Sequence, residues 1–279
     1  MKISVMSEFS FSVLIATYEG DDPDDLERAV QSVINQTVQP DEIVVVADGP
    51  LTQQLDTVLT ELAEEHPDLF HRTSLSTNRG LGAALCHGVE TCSHEWIARM
   101  DSDDVAVDDR FERQIEYLRD NPETDAVGGY IGEFDEDPSL VKTIREVPTT
   151  PDTLRSAARF RCPLNHPTVM FRRLAVLEVG NYRPLRSMQD YDLWMRMLAA
   201  DYTLANIPTV LVKCEAGEDL FGRRGGLEYA KIEANLQYEF LRLGVISIPV
   251  FVLNLCVRLP LRLSPNRLRG LVYRTLLRD

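Results

Sequence analysis

Lysine is nearly missing from this 279-residue chain. Of its 29 basic residues only Lys2, Lys142, Lys213 and Lys231 are lysines, against 44 acids, for a net charge of −15. So acidic a chain repels phosphate backbones, which argues against non-specific binding of nucleic acid. An acidic, lysine-poor surface suits a salt-rich, halophilic cytoplasm, where screening removes self-repulsion. Paired cysteines are missing too. Cys86, Cys92, Cys162, Cys214 and Cys256 form no CxxC and no repeated spacing, so they read as reduced thiols rather than a disulfide framework. No GxGxxG follows the first apolar segment, which disfavours a NAD-dependent dehydrogenase. The stretch after that segment, "TYEGDDPDD", is acidic, whereas a nucleotidyltransferase needs a basic, glycine-rich loop there for a triphosphate. "MKISVMSEFS" carries no long apolar stretch, so no signal peptide is expected.

What is present is an alternation. "FSVLIATY" (11–18) is a short apolar run that reads as a buried strand. Asp22 and Pro23 then signal a helix whose inner face is Leu26, Ala29, Val30, Val33 and Ile34. "EIVVVAD" (42–48) reads as a second strand, 52–65 as a helix, 71–76 as a third strand, and "NRGLGAALCHGVE" as a glycine-punctuated turn entering a helix. "EWIARMD" is the fourth strand. This order implies βαβ units and a parallel sheet flanked by helices, an α/β fold of Rossmann-like type. The second half is less regular: a helix at 108–120, a strand at "AVGGYIGEF", another near "PTVMFRR", a helix around "YDLWMRMLAA", and short strands at "YTLANI" and "TVLVKC".

In such sheets ligands bind beyond the carboxyl ends of the strands. Asp48 and Asp101 each sit at such an end. "WIARMDSDD" places Asp101, Asp103 and Asp104 within four positions, a gathering of like charge that a solvated turn or a helix start would also explain. A divalent cation such as Mg²⁺ or Mn²⁺, held by one or two carboxylates together with substrate phosphates, would offset that charge.

The ordered series "FSVLIATYEG", "SVINQTVQPDEIVVVADGP", "NRGLGAAL", "WIARMDSDD", "CPLNHPTVMFRR", "QDYDLWMRM" and "RRGG" resembles the family 2 glycosyltransferases of GT-A fold. The similarity is nearest to bacterial and archaeal transferases of the amylovoran-biosynthesis type, which build surface polysaccharides and lipid-linked glycans. The resemblance implies an inverting, metal-dependent transfer from a nucleotide-diphosphate sugar, with UDP favoured. The acceptor would be a glycan or a polyprenyl-phosphate-linked glycan, in surface polysaccharide or glycoprotein assembly. Thr17, Tyr18, Glu19, Asp48, Asn78 and Gly80 would hold the nucleoside, with Arg99 and Asp101 beside it. Asp103, with Asp101, would bind the metal. Asp190 would be the general base, although Gln189 stands where the family commonly has Glu. His166 and Asp192 would lie on the acceptor side, and Arg223 and Arg224 would close over the diphosphate. A sugar-nucleotide-binding scaffold subunit without turnover is the non-enzymatic alternative.

The chain divides in expectation into a catalytic domain at 1–220, with a nucleotide-sugar half at 1–107 and an acceptor half at 108–220, and a basic helical extension at 221–279. Residues 241–279 hold seven arginines and one acid, about +6, leaving about −21 on the remainder. "GVISIPVFVLNLCVRLPLRL" is too short and too broken by Pro249 and Pro260 for the ~20-residue span of a bilayer. It reads instead as an interfacial anchor over 245–278 on the inner face of the membrane. Arg258, Arg262, Arg267, Arg269, Arg274 and Arg278 would meet anionic headgroups, while Val250, Phe251, Leu253 and Leu255 enter the acyl boundary. The rival is a helical pair folded onto the catalytic domain, its arginines answering acids there, or a dimer contact.

Overall fold

The computed structural model describes residues 9–216 and 225–264. Arg223, Arg224, Arg267, Arg269, Arg274 and Arg278, all named above, lie outside them.

Four strands, β1 (Phe11–Thr17), β2 (Glu42–Ala47), β3 (Phe70–Ser74) and β4 (Trp96–Met100), run parallel in the order β3-β2-β1-β4. Three helices join them: α1 (Pro23–Ile34), α2 (Gln53–Glu65) and α3 (Leu81–Thr91). Asp22 caps α1, accepting from the Asp24 amide at 2.9 Å with Pro23 in the first turn, and Thr52 caps α2 through the Leu55 amide. The five residues expected on the inner face of α1 are all buried. Each large apolar one contributes about 1.5–3 kcal/mol on leaving water.

Past β4 the sheet becomes mixed. β5 (Val105–Ala106), β6 (Ala126–Phe134), β7 (Thr143–Arg145), β8 (Met170–Arg172) and β9 (Leu204–Glu215) complete the order β3-β2-β1-β4-β8-β6-β9-β5, with β7 on β6. β8 is antiparallel to both β4 and β6, and β6 runs parallel to β9. β5 follows β4 by only four residues yet stands four places away in the sheet. The sheet must therefore curl, and it does: the β5 amide of Ala106 donates to Ser32 Oγ of α1, and Gln36 Nε2 to the Val107 carbonyl. Two apolar layers follow from the strand alternation. Phe11, Val13 and Ile15 face Leu26, Val30, Leu55 and α4 (Arg110–Asp120), whereas Leu14, Val44 and Val46 face α3 and α7 (Gln189–Ala199).

Three expectations need correction. "YTLANI" and "TVLVKC" form one strand, β9, with a bulge where Gly129 faces Ile207 but Tyr130 faces Val210; Pro208, lacking an amide, is accommodated there. α7 begins earlier than expected, with Met188 at its cap in the left-handed region (φ 62°). "PTVMFRR" is a 3₁₀ turn at His166–Thr168 followed by the short β8. The helices α5 (Pro151–Ala158) and α6 (Arg173–Glu178) and the strands β5 and β7 were not expected. The described C-terminal part is α8 (Leu227–Arg242) and α9 (Ile248–Leu263), packed on each other.

Candidate active site

The carboxyl ends of β1 and β2 and the start of α3 enclose a cavity of about 210 Å³ lined by Ala16, Thr17, Tyr18, Asp48, Asn78, Gly80, Leu81 and Ala84. Five residues expected to hold the nucleoside thus meet in one place; Glu19 is exposed and is not among the lining residues. Asp48 is 5% exposed and both its oxygens are engaged, accepting from the Arg79 amide at 2.7 Å and the Gly80 amide at 2.8 Å. It therefore shapes the turn that forms one wall. Gly80 has φ +87°, which a side chain rarely tolerates. Gly82 serves close packing: a Cβ there would stand 2.3 Å from the Arg183 carbonyl oxygen.

Next to this cavity, Asp101, Asp103 and Asp104 present carboxylate oxygens all within 4.8 Å of one another. The turn carrying them is tied to the β1 loop by Ser102, whose hydroxyl donates to Asp21 at 2.7 Å. Asp21 also accepts from the Tyr18 amide, and burial raises its pKa, with Asp103 adding to the effect. Asp104 is buried, and desolvation together with the Asp103 charge pushes its carboxyl up to about 7. Crowded hard oxygen donors whose charge is poorly accommodated alone are what a Mg²⁺- or Mn²⁺-sized cation fits.

Arg99, 1% exposed at the end of β4, is forked onto Asp101. It makes an ion pair, the alternative to facing a nucleotide. Asp103, Asp104, Asp190 and Tyr182 all lie within the reach of its charge. Arg99 thus joins the acid turn to α7, from a part of the chain far away in sequence. Asp190 is half-buried in the first turn of α7 rather than at its cap, and the Cys162 thiol donates to its Oδ2 at 3.5 Å. Burial and the Asp190 charge keep that thiol protonated.

Two acceptor-side expectations change. Asp192 is 1% exposed and grips Arg196 by two bonds of 2.8 and 2.9 Å, with Arg183 on its other oxygen. Arg196 in turn donates to the Val179 and Asn181 carbonyls, so the pair fixes the loop that carries Tyr182. His166 lies behind the site wall: its Nε2 shares a 2.9 Å hydrogen bond with the Tyr182 hydroxyl and its ring meets Trp194 edge-on. Burial, with Arg99 nearby, drives its pKa well below the usual range, so it stands neutral and offers no cation to an acceptor. Asp21, Cys162, Tyr182 and the exposed Arg145, whose charge reaches Asp104 and Cys162, were missed from the sequence. Only Asp21, within the acidic stretch that follows β1, carried a local signal.

Residues 12–179 match the profile of Glycosyl transferase family 2. The chain is 36% identical over 263 residues to the amylovoran biosynthesis glycosyltransferase AmsE of Erwinia amylovora, covering 94% of this chain and 97% of that one. It is 35% identical over 268 residues to the UDP-Gal:alpha-D-GlcNAc-diphosphoundecaprenol beta-1,3-galactosyltransferase of Escherichia coli, covering 96% of each. In fold it is similar to the mannosyltransferase PcManGT of Pyrobaculum calidifontis, solved with GDP-Man and Mn²⁺, at a TM-score of 0.64 and 18% identity over 95% of this chain and 75% of that one. The architecture is the GT-A fold, and the chain is a glycosyltransferase of family 2.

Proposed function

We propose that this enzyme transfers a sugar, with inversion and with the help of a divalent cation, from a UDP-sugar to a polyprenyl-diphosphate-linked glycan in polysaccharide assembly. The observation that carries the reading is the gathering of the three-aspartate turn and Asp190 around Arg99, at the same ends of the parallel strands as the cavity. The donor and acceptor named for the Escherichia coli relative support the choice of substrates.

Thr17, Tyr18 and Asn78 line the space for the nucleoside, while Asp48 holds the 79–80 turn in shape. Asp101, Asp103 and Asp104 would hold Mg²⁺ or Mn²⁺, whose charge would offset that building up on the departing diphosphate. Asp190 accepts the acceptor hydroxyl's proton as that oxygen bonds to the anomeric carbon and the bond to the diphosphate breaks. A single displacement of this kind inverts the centre. The Cys162 thiol, donating to one Asp190 oxygen, orients the carboxylate and leaves the other for the acceptor.

The test uses purified protein, UDP- and GDP-sugars, Mn²⁺ or Mg²⁺, and a lipid extract as acceptor source, reading released nucleotide. Metal-dependent release from a UDP-sugar, lost in Asp103→Ala and Asp190→Ala, is expected. Equal release with a chelator present, or undiminished turnover by Asp190→Ala, would overturn the mechanism.

A further inference from the structure

α9 is inside out for a surface helix. Its polar residues Asn254, Arg258 and Arg262, four apart, face the protein and are bonded there. Arg258 and Arg262 both reach Glu233 of α8, which is 0% exposed, and the Arg262 guanidinium lies over the Tyr229 ring. These two arginines are therefore not headgroup ligands, and that part of the anchor expectation is corrected. Val250 and Phe251 pack against the core and Leu255 is half-buried, so the expected insertion set is also wrong except for Leu253.

The outward face carries Ile248, Val252, Leu253, Val257 and Leu263, each more than half exposed, and no charged residue. Soluble surfaces rarely leave such a stripe uncovered. Sixteen residues are too few to cross a bilayer, and no described helix is long and apolar enough to do so.

We propose that this face of α9 lies in the surface of an anionic membrane, with its axis in the membrane plane. Two observations choose a lipid surface over other occupants. The chain continues for sixteen residues beyond α9 with Arg267, Arg269, Arg274 and Arg278 against one acid, a charge opposite in sign to that of anionic headgroups. The rest of the molecule, at about −21, is repelled by the same surface, so only this end can face it. The position also suits the acceptor proposed above, on which the purpose of the contact rests. Asn254 donates to the Arg159 carbonyl at 2.8 Å and Arg258 to that of Phe160; two residues further on, Cys162 touches Asp190. The membrane-facing helix is thus bonded to the segment that orients the proposed base, which holds the base's side of the site toward a lipid-borne acceptor.

The experiment is co-sedimentation of the full chain with vesicles of phosphatidylcholine, with or without phosphatidylglycerol, needing neither donor nor acceptor. Its outcome therefore stands whatever the transfer assay gives. Binding to the anionic vesicles is expected, reduced at least tenfold in a Val252→Glu/Val257→Glu variant. Leu174→Glu, an equally exposed apolar position on α6, should bind as the parent does. Unchanged binding by the double variant, or none by the parent, would overturn the proposal. So would a soluble dimer that the same double substitution dissociates in sedimentation velocity, since the stripe would then be a self-contact.

Discussion

Replacing Asp192 by alanine separates a structural role from a substrate-binding one. The carboxylate is 1% exposed and its main partner, Arg196, 5% exposed, so both charges are out of water. Removing one member of such a pair leaves the other buried and unpaired, which costs about 3–5 kcal/mol. The bond to Arg183 adds little, because that side chain is 44% exposed; about 0–1 kcal/mol is the range for such pairs. A loss of about 3–5 kcal/mol is therefore expected. With a urea slope near 3 kcal/mol/M it lowers the unfolding midpoint by more than about 1 M. The acceptor KM of the folded fraction should stay near that of the parent. An Asp192→Leu/Arg196→Met variant, which removes both charges, should recover much of the loss. A stability change below about 1 kcal/mol combined with a large rise in acceptor KM would refute the argument and return Asp192 to the acceptor surface.

Asp190→Asn should lower kcat by about 10²–10⁴ with little change in the unfolding midpoint; a midpoint shift without loss of kcat would contradict the role given to it. Gly82→Ala must push α3 off the Arg183 carbonyl and should cost about 1–3 kcal/mol, read by thermal unfolding, together with weaker donor binding. Asp104 binds its proton more tightly folded than unfolded, so without a cation its contribution is complete below pH ~3.8 and is lost as the pH rises to about 7. Since a cation needs the ionised carboxylate, Mn²⁺ should raise the melting temperature more at pH 8 than at pH 5.5. The same rise at both, or the same pH trend in Asp104→Asn, would refute this.

β1, β2 and β4 were legible because strands buried on both faces are continuous apolar runs, and α1 and α2 because they carry capping residues. β5 has two residues and β7 is exposed throughout, so neither carries a periodicity to read. Pro208 made one bulged strand look like two. α5 was legible in principle: Thr150 and Pro151 are a cap and first-turn pair, and Thr150 does accept from the Thr153 amide. In the site, Asp48 and the cluster of aspartates stood out by their place at strand ends, and the other nucleoside residues only through the family resemblance. The roles of His166, Asp192 and Arg258 did not, because each depends on a partner at least four and as many as 25 residues away that only the folded chain selects.

The four residues between β4 and β5 have a second duty. Four strand spacings of a flat sheet would cover about 19 Å, more than the ~17 Å that five extended steps comfortably reach. Residues 101–104 are therefore a short strap, bent at Ser102 and Asp103, across the mouth of a curled sheet, with the Ala106–Ser32 bond holding one end. Their number is fixed by the curvature of the sheet as well as by the ligands they offer. One residue more would slacken the strap, and one fewer would pull β5 from its place against α1. A cation gripped at mid-strap would act as a buckle, stiffening the whole barrel-like bend and not only the turn that touches it.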